Sequence, residues 1–210
     1  MSSKENDSNL LQHIHDHDYD ACLRLVTRTP DLVHSIVTRD GLRATPLVWA
    51  AYANATSEIS RLLLDHHADV NATAYPTRRT ALHVAVANGH VRLVSLLCSR
   101  GATVDGPGLA GEFPLHTAVV RGDLATTRVL LDYGADVNQP DHVGRTPLHL
   151  GVSSRLDICQ HLLEHRADVN AMDDDRFTPL DTALLDSSEE EPIVMYLMDE
   201  GGKINQMRRV

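Results

Sequence analysis

The amino-acid sequence predicts an all-α solenoid of stacked helix-turn-helix units joined by hairpin-like loops. Three observations lead there. A four-residue motif recurs with its leucines at 47, 82, 115, 148 and 180, at intervals of 35, 33, 33 and 32 residues. A second motif keeps the same step: Ala68-Asp69-Val70-Asn71 returns as Ala102-Thr103-Val104-Asp105, Ala135-Asp136-Val137-Asn138 and Ala167-Asp168-Val169-Asn170, and more distantly as Gly202-Lys203-Ile204-Asn205. Hydrophobic residues are 42% of the chain but aromatics only 4%, so the apolar mass is Leu, Val and Ala, which suits closely packed helices. A period of this size marks an array in which each unit is one supersecondary structure.

The first motif opens a helix. It reads Thr45-Pro46-Leu47-Val48, Thr80-Ala81-Leu82-His83, Phe113-Pro114-Leu115-His116, Thr146-Pro147-Leu148-His149 and Thr178-Pro179-Leu180-Asp181. The Thr hydroxyl caps the helix, and Pro suits a first position that needs no amide donor. Phe113 cannot accept that amide bond, so its helix start should be weaker by ~1 kcal/mol. Leu82 and Ala85 lie on one helical face, where the small Ala lets the neighbouring helix approach. Gly89 and Gly122, and more weakly Asp186-Ser187-Ser188, break the helix before a second one. That second helix is apolar at helical spacing, as in Val91, Val94, Leu97 and Cys98. Gly101 and Gly134 end it in the left-handed conformation. The Asp-Val-Asn segment then leads through a turn to the next Thr-Pro-Leu-His. The long first interval places an insertion near Asn54-Ala55-Thr56, and the short last one a deletion at Ser153-Ser154-Arg155. The acidic run at 187–191 is expected to be an exposed loop.

Together these motifs resemble the ankyrin-repeat family, whose unit of ~33 residues carries a Thr-Pro-Leu-His-x-Ala signature. The resemblance runs from about residue 9 to the C-terminus, and residues 1–7 are expected to be disordered. It implies one ankyrin-repeat domain over 8–210, with units near 8–41, 42–76, 77–109, 110–142, 143–174 and 175–210. The first unit is divergent (Leu10-Leu11-Gln12-His13-Ile14, Cys22-Leu23-Arg24-Leu25-Val26, Pro30-Asp31-Leu32-Val33) and reads as an N-terminal cap. No unit covers its own apolar face, so stability comes from stacking neighbours.

Composition narrows function. The net charge is −10, and residues 151–210 carry 13 of the 29 acidic side chains. Such a chain repels phosphate backbones, so nucleic acid is not expected as a partner. No apolar run approaches the ~18 residues of a membrane span, and Met1 to Leu10 lacks a signal-peptide core. Cys22, Cys98 and Cys159, scattered among apolar neighbours, read as reduced thiols of a cytoplasmic or nuclear protein.

Thirteen histidines invite a metal or catalytic role. His83, His116 and His149 fall on the family's own His position, where the resemblance implies hydrogen bonds bridging adjacent loops. His13 and His17, four apart and amid Asp16, Asp18 and Asp20, are weak metal candidates. Alignment with the other units puts His17 at the turn glycine and His13 at the inner Ala, so the two need not share a helix. The glycines of 106–111 fall between repeats and read as a turn, not a phosphate cradle. No nucleophile elbow or Cys-x-x-Cys pair is present, and neither enzyme activity nor a cofactor is expected.

The resemblance implies that a partner protein binds the concave side, made of the hairpin fingertips and first helices. Carried over residue by residue, the variable inner-helix positions are Ala87, Asn88, Val120, Arg121 and Ser153. Beside the Thr-Pro-Leu motifs lie Arg43, Arg79, Glu112, Arg145 and Phe177, with Arg78 and Arg176 adjoining. Arg in most fingers of an acidic chain suits carboxylates, which it grips with paired hydrogen bonds. The expected partner is an acidic extended or helical segment, with apolar anchors near Tyr75, Leu109, Val120 and Phe177. Asn71, Asn138 and Asn170, each with Leu eight residues earlier, resemble the asparagines that hydroxylases modify in this family. The chain is expected to be a monomeric adaptor, scaffold or inhibitor in the cytoplasm or nucleus. Two alternatives are a ubiquitin-ligase recruitment subunit, if the chain is cut from a longer one bearing a box motif, and a His-rich metal-binding cap.

Overall fold

The computed structural model describes residues 3–55, 57–108, 111, 113–186 and 192–205, without the side chains of 3–8 and 186. The chain forms two compact units, residues 1–109 and 110–210.

The first unit runs α1 (Ser3–His15), α2 (Tyr19–Arg28), a 3-10 turn (Pro30–His34), β1 (Val37–Arg39), β2 (Leu42–Ala44), α3 (Pro46–Tyr52), α4 (Ser57–Asp65), α5 (Ala81–Asn88) and α6 (Val91–Ser99). Helices α1, α3 and α5 form an inner row and α2, α4 and α6 an outer row, each inner helix also packing on the outer helix that follows it. Leu10, Ile14, Leu47, Ile59, Leu63, Leu82 and Leu97 are fully buried between the rows. The small residues that let them close up, Ala50, Ala51 and Ala85, have no exposed surface. Helix α1 begins at Ser3, so most of the stretch expected to be disordered is helical.

The hairpin-like loop after the first repeat is a true two-stranded antiparallel hairpin, pairing Val37 with Ala44, Thr38 with Arg43 and Arg39 with Leu42. Its two-residue turn, Asp40-Gly41, has φ of 52° and 80°. Positive φ at both positions matches the right-handed twist of the flanking strands, and Asp-Gly is a pair that tolerates it. A bridge from Arg43 to Tyr75 adds the next finger to this sheet. The first interval is two residues long for two reasons. One extra residue falls at the helix turn, where Asn54 takes φ 54°, and the other falls in the finger between Asp69 and Thr80.

The second unit contains α7 (Pro114–Val120), α8 (Leu124–Asp132), α9 (Pro147–Gly151), α10 (Leu156–Glu164), α11 (Pro179–Asp186) and α12 (Pro192–Asp199). Again α7, α9 and α11 stack as an inner row, with α8, α10 and α12 outside. Leu115, Leu130, Leu148, Ile158, Leu162, Leu180 and Leu197 are among its fully buried large side chains. Each such leucine contributes about 1.5–3 kcal/mol relative to exposure. The expected loop at 187–191 lies outside the described residues.

The Asp-x-Asn motif joins one repeat to the next. The Asp69, Asp136 and Asp168 carboxylates accept the amides of Asn71, Asn138 and Asn170, all at 2.9 Å. Each Asn side chain then bonds twice to the following repeat. The Asn71 Nδ2 donates to Gly101 O at 3.2 Å, and its Oδ1 accepts Thr103 N–H at 2.8 Å. Asn138 reaches Arg166 O and Asp168 N in the same way, and Asn170 reaches Gly201 O and Lys203 N.

Candidate partner-binding surface

The motif histidines are structural. In α5 and α9 the Thr80 and Thr146 hydroxyls donate to Nδ1 of His83 and His149 at 2.9 Å. The other ring nitrogen of His149 donates to Phe177 O of the next finger at 3.0 Å, and that of His116 to Arg145 O at 3.1 Å. Phe113 stands where Thr would be, its ring 5.5 Å from that of His116, and His116 Nδ1 is buried without a partner among the described residues. Burial pushes the pKa of both His116 and His149 down, outweighing the carbonyl bonds that favour protonation. In the last repeat Asp181 replaces His and the polarity reverses, its carboxylate accepting Asn205 N–H at 3.1 Å.

Around these supports the fingers and inner helices expose residues that the fold does not need. In the first unit Arg43 and Tyr75 exchange backbone hydrogen bonds of 3.0 and 2.8 Å, which brings their side chains together. Tyr75 is 66% exposed, and Arg43 and Arg78 are exposed too. Arg78 takes φ 54° and Arg176 φ 64°, at the finger position that glycine fills as Gly144, φ 78°. A left-handed arginine costs about 1 kcal/mol that glycine would avoid. Arg79 is half-buried and engaged. On α5 Ala87 is half-exposed, while Asn88 is exposed with its amide donating to Ala51 O at 3.3 Å.

In the second unit Val120, Ser153 and Leu185 take equivalent places at the ends of α7, α9 and α11, seven residues past 113, 146 and 178. Val120 is 62% and Leu185 67% exposed. Arg121, Ser153 and Arg176 are exposed. Arg145 is tied inside its own finger: its guanidinium meets the Asp141 carboxylate at 2.9 and 3.0 Å. Burial alone would raise the Asp141 pKa, but the Val143 and Arg145 amides and this guanidinium hold it below the usual carboxylate range. Phe177 is half-buried and serves by its backbone, donating to Asp173 and accepting from His149. Leu109 and Glu112 lie outside the described residues.

Sequence reading passed over Leu185, Met172 and Tyr52. The repeat register alone would have found Leu185 and Tyr52, which sit at the position of Val120. Met172, 49% exposed in the last finger, follows no motif.

The remaining chemistry is quiet. Helix α1 ends at His15, and His17 lies beyond it at φ 57°, so His13 and His17 do not share a helical face. Among the described residues no group of three or more His, Cys, Asp or Glu is placed to hold a metal ion. The three cysteines are buried and free. Burial pushes Cys22 and Cys98 up to about 11 and Cys159 to about 12, which keeps the thiols protonated and unreactive at neutral pH. No helix among the described residues is long and apolar enough to cross a membrane.

Comparison with known proteins agrees with this architecture. A family model of ankyrin repeats, in three copies, matches residues 2–107 and 105–173. Over 71 residues the chain is 42% identical to palmitoyltransferase ZDHHC17 of Danio rerio, which is 34% of this chain and 12% of that protein. It is 47% identical over 72 residues to the ankyrin repeat and KH domain-containing protein mask of Drosophila melanogaster, covering 34% of this chain and 2% of that one. Human ankyrin repeat domain-containing protein 17 is 44% identical over 71 residues, 33% of this chain and 3% of its own length. The chain thus spans only 2–12% of the length of these relatives, and their activities do not come with the match. By the family model and the stacked helix pairs alike, the chain belongs to the ankyrin-repeat family.

Proposed function

We propose that the chain is a non-enzymatic adaptor or inhibitor that holds a partner protein on its fingertips and inner-helix ends. Ankyrin repeats are protein–protein interaction modules, and that coarser role follows from the family. The observation carrying the finer reading is the exposure of Tyr75, Val120 and Leu185, 66%, 62% and 67%, on elements whose other apolar residues are mostly buried. Large apolar side chains left outside fit a contact role better than a folding role. The exposed Arg43, Arg78, Arg121 and Arg176 favour a partner segment with carboxylates. Reduced, buried cysteines favour the cytoplasm or nucleus. Asn71, Asn138 and Asn170 remain candidate hydroxylation sites; each is exposed or half-exposed, and intact mass after incubation with an asparaginyl hydroxylase would show the gain of one oxygen atom.

The test is affinity purification from the native cell with quantitative mass spectrometry, comparing wild type with an Arg43→Glu/Arg78→Gly variant. Glycine at 78 relaxes the backbone, so lost binding would not reflect unfolding. The reading expects the principal partner to fall about tenfold with thermal stability kept. Equal recovery on both baits would discard these residues. Charge reversal at Arg79 and Arg145 is a poorer choice, because Arg145 would lose its pair with Asp141.

A further inference from the structure

We propose that an extended, acidic partner segment adds to the first unit as a β-strand along the free edge of β1. This deepens the protein-binding reading and rests on it. The argument starts at Arg43, which gives both its N–H and its C=O to Tyr75. Within a strand both groups of one residue project to the same side, so toward β1 Arg43 forms a pair without hydrogen bonds to Thr38. Alternation then assigns the ladder bonds to Val37 with Ala44 and Arg39 with Leu42. The Thr38 amide and carbonyl must point the other way, off the sheet. No hydrogen bond from another described residue reaches either group. The strand itself is anchored, because the Trp49 indole N–H donates to Val37 O at 3.4 Å.

β1 is therefore an edge that offers one donor and one acceptor from a single residue, the unit that an added strand engages. Nothing described shields it: Ile36 is 53% exposed, and Thr38, Arg39 and Asp40 are exposed. Charge selects the occupant. Arg39 stands on the edge strand and Arg43 one strand in, and Asp40, 3.7 Å from Arg39, is the one carboxylate of the hairpin. A second copy of this chain would bring the same arginines opposite themselves, which disfavours self-pairing. Thr38, Arg43 and Tyr75 lie in one row across three segments and share a face, while Arg39 takes the other. The register follows. The partner residue opposite Thr38 lies on the Tyr75 face, and its two neighbours, one beside Arg39 and one beside Val37, carry the carboxylates on the face of Arg39.

The experiment uses the full chain and a short fluorescein-labelled peptide alternating valine with glutamate. One control replaces glutamate by lysine, and another N-methylates alternate residues, removing backbone donors while keeping the charge. Anisotropy should show the glutamate peptide binding about tenfold or more tighter than either control, and amide exchange at Thr38 should slow about tenfold in its presence. Thr38→Pro, which removes the outward donor and no ladder bond, and Arg39→Glu should each weaken binding about tenfold with the melting temperature kept. Three outcomes overturn the proposal: no binding of the glutamate peptide at millimolar concentration, equal binding of either control, or unchanged exchange at Thr38 in the bound state. If instead the peptide protects α7, α9 and α11, the edge is wrong while the broader binding surface stands.

Discussion

At position 113 one side chain decides what a neighbouring histidine can do. Thr80 and Thr146 each satisfy a buried imidazole nitrogen, and Phe113 leaves the matching nitrogen of His116 unpaired. Phe113→Thr should restore the bond and the helix cap together, adding about 1 kcal/mol and raising the melting temperature by roughly 2–4 °C. An unchanged midpoint would mean that the site has relaxed around phenylalanine. His116 and His149 also set a pH dependence. Their folded pKa values lie below the ordinary 6.5, so the unfolded chain takes up protons first as pH falls. Their contribution is complete above 6.5 and is lost as pH drops below it. Urea midpoints should fall between pH 7.5 and pH 5.5 by more in wild type than in a His116→Gln variant, about these two values. The sequence made the histidine role legible through the repeat register. It did not separate Arg79 from Arg145, which share one register place, a residue before the motif Thr, and differ in their surroundings. Asp141 sits four residues before Arg145, and the finger of Arg79 has Ala74 at the corresponding place.

Among the elements, the fingers carry the finest tolerances. Gly144 has φ 78°, and a Cβ there would lie 2.6 Å from Asp174 Oδ1 and 2.7 Å from its amide. Gly134, φ 83°, has open space around it. Alanine at 134 should cost about 1 kcal/mol for the left-handed backbone, and alanine at 144 at least twice that, since two fingers would have to part. Equal costs in denaturant titrations would show that the neighbouring finger yields freely. Helix boundaries were legible because one tetrapeptide both caps and patterns its helix. The hairpin was less so: strands of three residues are too short for alternation to show, and only Asp40-Gly41 marked the turn. The dependence of β1 on Trp49 and of β2 on Tyr75 could not be read at all, since each partner is distant in sequence.

For the whole molecule, the repeated motifs account for what is buried, and what they do not account for is where binding is expected. Exposed Tyr75, Val120 and Leu185 follow no consensus, which is why periodicity located their positions without giving their purpose. The acidic balance of −10 belongs to the chain as a whole, yet Arg39, Arg43 and Arg78 gather in the first unit and Asp173, Asp174 and Asp175 in the last finger. The most direct test of the account is an amide hydrogen-exchange footprint of the full chain with a partner recovered from the cell. Protection should appear in the fingers around 37–44, 73–79, 139–145 and 171–177 and at the ends of α3, α5, α7, α9 and α11. Protection confined to the outer helices α4, α6, α8, α10 and α12, with those fingers exchanging as before, would contradict it.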